Sequence, residues 1–88
     1  MSTRCCIWIK GTEFKKRRKI LLYHHYDGNP QHMLPLLKSY FKDYDSVDQY
    51  ANRLIRDLGE EFEATSFMHT DIEYLYQVNP LKGTVEVL

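Results

Sequence analysis

Val47, Tyr50, Ala51, Leu54, Ile55 and Leu58 recur at intervals of three, one, three, one and three residues, which places all six on one face of an α-helix. Directly before them stands Ser46-Val-Asp-Gln49, a capping box: the serine oxygen accepts one free backbone N–H and the glutamine reaches back to another. Gly59 supplies a stop. A helix with a single apolar face must bury it against a second layer, so whatever surrounds this segment has to supply that layer.

The surrounding segments read as strands. Arg4–Lys10 (RCCIWIK) and Ile20–Tyr26 (ILLYHHY) are β-branched and aromatic, and the charged GTEFKKRRK between them predicts an antiparallel hairpin with a basic tip. Alternation puts Cys5, Ile7 and Ile9 on one side and Cys6, Trp8 and Lys10 on the other. Likewise Ile20, Leu22, His24 and Tyr26 oppose Leu21, Tyr23 and His25. Asp27-Gly28 signals a turn, and Asn29-Pro30 suits a helix start. Pro35 would break a regular helix, which moves the expected start to Met33, with Leu34, Leu37, Phe41 and Tyr44 as its apolar stripe. Glu60–Thr70 reads as an acidic linker able to hold a helical turn around Phe62. Ile72, Tyr74, Tyr76 and Val78 alternate as a strand, Asn79–Gly83 turns, and Thr84–Leu88 closes the chain as a short strand. The expected fold is a single α+β domain over residues 1–88, ordered ββααββ, with a four-stranded antiparallel sheet and both helices packed on one face.

At 88 residues there is one core and no room for a separate catalytic domain. No apolar run approaches the roughly 20 residues of a membrane span, and the N-terminus lacks a signal-peptide pattern, so a cytoplasmic protein with no membrane contact is expected. Adjacent Cys5 and Cys6 point to opposite faces of a strand and are read as reduced thiols, neither bridged nor part of a zinc site. The zero net charge conceals polarity. Residues 1–42 carry nine Lys/Arg against two acids and residues 43–88 three against ten, or +7 and −7. On the sheet face turned from the helices, Trp8, Leu21, Tyr23 and Leu75 make an apolar patch that predicts a homodimer interface.

Three groups could carry chemistry. His24, His25 and Asp27, with His69 and Asp71, offer metal ligands or an imidazole oriented by a carboxylate. No nucleophile motif or glycine-rich phosphate loop accompanies them, so no enzyme activity, cofactor or metal is expected. Lys15, Lys16, Arg17, Arg18 and Lys19 could contact phosphates, with Phe14, Trp8 and Tyr23 near in sequence for base stacking. Asp43, Asp45, Asp48, Asp57, Glu60, Glu61 and Glu63 could imitate a nucleic-acid backbone.

The strings YHHYDGNP, LPLL and DIEYLYQV resemble small uncharacterised phage and prophage accessory proteins with a strand-end Tyr-x-His-x-Asp-Gly-x-Pro motif, a Pro-containing helix and a Glu-Tyr-x-Tyr strand. The resemblance covers Ile20–Leu37 and Asp71–Leu88 and marks Tyr23, His25, Asp27, Gly28, Pro30, Pro35, Glu73, Tyr74 and Tyr76. It implies a mobile-element accessory protein acting in the host cytoplasm, by context an inhibitor of host defence. The leading expectation is a non-enzymatic binding protein that engages a host protein or small nucleotide-like ligand through Tyr23, His25, Asp27 and the Lys15–Lys19 run. Single-stranded nucleic-acid binding at the basic tip is the second, and a metal-dependent enzyme at the His/Asp cluster the third.

Overall fold

The structure is a computed structural model that describes residues 3–13, 16–42, 46–66, 68 and 70–88, with 13 and 16 described by their backbone alone. Phe14, Lys15, Asp43, Tyr44, Asp45 and His69, and the side chain of Lys16, lie outside the described residues. The elements are β1 (Cys5–Glu13), β2 (Lys16–His24), α1 (Pro30–Ser39), α2 (Val47–Leu58), β3 (Phe62–Thr65), β4 (Tyr74–Asn79) and β5 (Thr84–Val87). They form one α+β unit with two helices and a five-stranded mixed sheet in the order β3-β2-β1-β4-β5.

This corrects the expected four-stranded antiparallel sheet in two respects. The acidic segment after α2 contributes an edge strand, β3, which pairs antiparallel with Leu21–His24 of β2. The C-terminal hairpin joins the sheet through β4, which runs parallel to β1 from Cys5↔Tyr74 to Ile9↔Val78. The hairpin is also longer than predicted: Lys19, read as loop, pairs with Lys10, and the ladder continues from Gly11↔Arg18 to Glu13↔Lys16. Charged side chains do not prevent this, because a two-stranded ribbon leaves them in water on both faces.

Local chemistry explains the helix boundaries. Asn29 caps α1 by accepting from the His32 N–H at 3.1 Å, and Pro30 takes the first helical position. The helix therefore starts before Met33 and continues through Pro35. Pro35 and Gln31, whose carbonyl loses its partner, are both exposed, so water can satisfy that carbonyl. The capping box at Ser46 and Gln49 forms as read, with both reciprocal bonds at 3.0 Å. Gly59 ends α2 in the right-handed region, at φ −59°, and not in the left-handed one.

The core lies between the helices and one sheet face. Ile7, Ile9, Leu22, Tyr76 and Val78 from the sheet meet Met33, Leu37, Val47, Tyr50 and Leu54 from the helices, and all are fully buried. Each aliphatic side chain so buried contributes about 1.5–3 kcal/mol. Tyr50 ties the two helices together by donating to the Leu37 carbonyl at 2.6 Å.

The opposite face is not uniformly open. β3 and β4 lie on opposite sides of the β2–β1 pair, so the connection between them must pass over β2 and β1. Asp71 and Glu73 mark its path: the Tyr23 hydroxyl donates to Asp71 Oδ2 at 2.8 Å, Arg4 pairs with the same oxygen at 3.2 Å, and the Glu73 N–H donates to the Arg4 carbonyl. Cys6 and Tyr23 are consequently buried, although they face away from the helices. Tyr23 thus leaves the uncovered patch predicted for a dimer, which shrinks to the half-buried Trp8, Leu21 and Leu75.

Candidate nucleic-acid interface

The half of the outer face beyond this crossing is strongly basic. β4 accompanies β1 only as far as Ile9, and β3 accompanies β2 only from Leu21, so Lys10–Glu13 and Lys16–Ile20 stand as a two-stranded ribbon. Between this ribbon and the β4–β5 turn lies a cleft of about 610 Å³. Its lining includes Lys10, Arg17, Arg18, Lys19 and Lys82 together with Trp8, and no carboxylate among the described residues.

Each cation is placed by its element. Lys10 and Lys19 are directly opposite on neighbouring antiparallel strands, and Arg17 follows Lys19 on the same face. Like charges placed directly opposite destabilise a sheet pair. Lys10 extends its ammonium over the Trp8 ring, 4.9 Å from the centroid. Lys82 is presented by the turn, where Asn79 Oδ1 accepts the N–H groups of Leu81 and Lys82 at 3.1 and 3.2 Å and Gly83 takes a positive φ of 67°. Arg18, on the helix-facing side, pairs with Asp48 in the first turn of α2. Among the described residues no carboxylate pairs with Lys10, Arg17, Lys19 or Lys82.

The residues of the predicted HHYD site are dispersed. His24 faces the helices and is fully buried, whereas His25 is exposed, stacks on Tyr23 with ring centroids 4.6 Å apart and bonds Glu63 at 3.2 Å. Burial and the bond to Asp71 raise the pKa of the Tyr23 hydroxyl. Asp27 occupies the left-handed region at φ 53°, a turn role that Asp tolerates. Gly28 packs so closely that a Cβ would stand 2.8 Å from the Thr3 carbonyl oxygen and 2.9 Å from the Cys5 Cβ. The Asp27-Gly28-Asn29-Pro30 string is therefore accounted for by turn and cap chemistry. Among the described residues no three His, Cys, Asp or Glu side chains converge at metal-binding distance. The Cys5 thiol is pushed up to about 12, chiefly by burial and secondarily by Cys6, and is a poor nucleophile at neutral pH.

Of the basic run, Arg17, Arg18 and Lys19 line the cleft, while Lys15 and the Lys16 side chain lie outside the described residues. Sequence reading missed Lys10 and Lys82 as members of the same site. Lys10 could have been found by extending the hairpin register, but nothing local signals that Lys82 arrives beside it. Among the described residues no helix is long and apolar enough to cross a membrane. No protein-family model, curated protein or solved structure matches the chain.

Proposed function

We propose that the protein is a non-enzymatic binding module for single-stranded nucleic acid, which it holds at the basic end of its sheet, mainly by the outer face. The observation that carries this reading is the cleft lined by Lys10, Arg17, Arg18, Lys19 and Lys82 beside Trp8, with no carboxylate among the described residues that line it. Cations set along a groove next to an aromatic ring are what a phosphate backbone with unstacked bases requires. The same features oppose a homodimer formed symmetrically through this half of the face, since it would set cation against cation.

Binding of a labelled octathymidylate, followed by fluorescence anisotropy over a salt series, tests the proposal. Three or four phosphate contacts give a log–log salt slope of about −2 to −3 at some 0.7 per contact. Lys19→Glu should weaken binding and flatten the slope. Absent or salt-independent binding removes the reading. A second reading, an acidic segment of a host protein, draws on the edge of β2 over Lys16–Ile20, which pairs with no strand on that side among the described residues and where an extended peptide could add as a strand. Either occupant suits the accessory, host-directed role that the sequence resemblance implies.

A further inference from the structure

We infer that one nucleotide of the bound strand is seated at the Trp8 end of this surface, with its base laid on Trp8 and its phosphate held between Lys10 and Lys19. The inference rests on the nucleic-acid reading above and specifies how that site is filled.

Lys10 and Lys19 stand directly opposite each other, with no intervening carboxylate among the described residues. A phosphate placed between them turns a repulsive pair into two favourable contacts. Trp8 lies two residues before Lys10 on the same face of β1, about 6.8 Å along the strand. That offset is comparable to the reach from a phosphate, across its sugar, to the base.

Trp8 is half buried, and its ring already carries a cation, the Lys10 ammonium at 4.9 Å. The ammonium stands where a base would lie. A phosphate bound between Lys10 and Lys19 draws that ammonium off the ring and clears the surface for the base. Stacking of a base on an aromatic ring is stronger than an exposed cation–π contact, so the exchange runs towards the ligand. Gln77, alongside Trp8 in the parallel β1–β4 register, sets an amide at the edge of the platform, where it can bond a base edge. Leu21, opposite Trp8 on β2, closes the other side with an apolar wall.

Trp8 is the single tryptophan, so its emission reports the site directly. Wild-type protein is titrated with octathymidylate and with inorganic polyphosphate of equal charge. Octathymidylate should change Trp8 emission and bind about fivefold or more tighter than polyphosphate, which should leave the emission nearly unaltered. Trp8→Ala should lose about fivefold or more for octathymidylate and almost nothing for polyphosphate. Trp8→Phe, which keeps a ring and preserves packing, should recover most of that loss. Equal binding of the two polyanions with unchanged Trp8 emission overturns the inference while leaving the nucleic-acid reading in place. No binding of octathymidylate at low salt overturns both.

Discussion

Lowering the pH should destabilise the fold through a single side chain, His24. It is fully buried, and among the described residues neither ring nitrogen has a hydrogen-bond partner. Its neighbours are aromatic: Phe62 at 4.6 Å and Tyr26 at 5.3 Å between ring centroids, with His32 at 6.4 Å. Burial is the main cause that lowers its pKa below the usual 6.5; the charges of His32 and His25 act the same way, and Glu61 and Asp27 oppose them. The folded state therefore binds a proton at this position less readily than the unfolded chain. The stability this group contributes is complete above about pH 6.5 and declines as the pH falls from there through the folded pKa. The slope approaches about 1.4 kcal/mol per pH unit once the unfolded histidine is protonated and the folded one is not. From pH 7.5 to pH 5.5 the loss is bounded at about 1.4 kcal/mol, and each 1 kcal/mol lost lowers Tm by some 4–8 °C in a domain of this size. An unpaired buried polar group costs about 1–3 kcal/mol. His24→Leu, of similar volume, should thus be neutral or stabilising by up to about 2 kcal/mol, and should remove the slope. Urea unfolding of both proteins from pH 7.5 to pH 5.5 measures this. Stability of the wild type that is flat over that range, or a His24→Leu variant weakened by about 2 kcal/mol or more, would show that the imidazole is satisfied and the reasoning wrong.

Two further substitutions probe the turn and the site. Gly28→Ala should destabilise by about 2 kcal/mol or more, because the obstacles are the Thr3 carbonyl and the Cys5 Cβ, which cannot swing aside as the end of a long side chain could; thermal melting within 1 °C or so of wild type would refute that packing. Asp48→Asn removes the partner of Arg18 at an exposed pair worth about 0–1 kcal/mol. It should tighten octathymidylate binding by up to about fivefold at low salt, and unchanged or weaker affinity would show that Arg18 takes no part in the cleft.

Legibility in the sequence followed the range of the interactions involved. The bounds of α2 were readable because its cap and stop are local, whereas its stripe held for Val47, Tyr50, Ala51 and Leu54 but not for Ile55, which is exposed. The strand faces were readable because alternation fixes them: Ile7, Ile9, Leu22, Tyr76 and Val78 all point to the helices. β3 was not, since an edge strand of four residues with one buried side chain, Phe62, has almost no apolar pattern to show. Nor was the parallel pairing of β1 with β4, because register between segments some seventy residues apart leaves no mark in either. Part of the basic site, Arg17 to Lys19, was evident as a charge run, yet its extent depended on a hairpin register and a turn that bring Lys10 and Lys82 to the same cleft.

The parallel β1–β4 pairing also governs how the chain must come together. β1 is the central strand, and until β4 docks, one entire edge of Cys5–Ile9 presents free backbone groups along an apolar strand. A growing polypeptide can zip the β1–β2 hairpin early, because that contact is local, but it has to hold this edge unpaired until Tyr74–Val78 have left the ribosome. The sheet therefore completes late and as a unit. A chain cut before Tyr74 would contain the hairpin and both helix segments but lack β4, leaving a strand edge suited to pairing with other copies, which makes translational truncation an aggregation hazard for this protein.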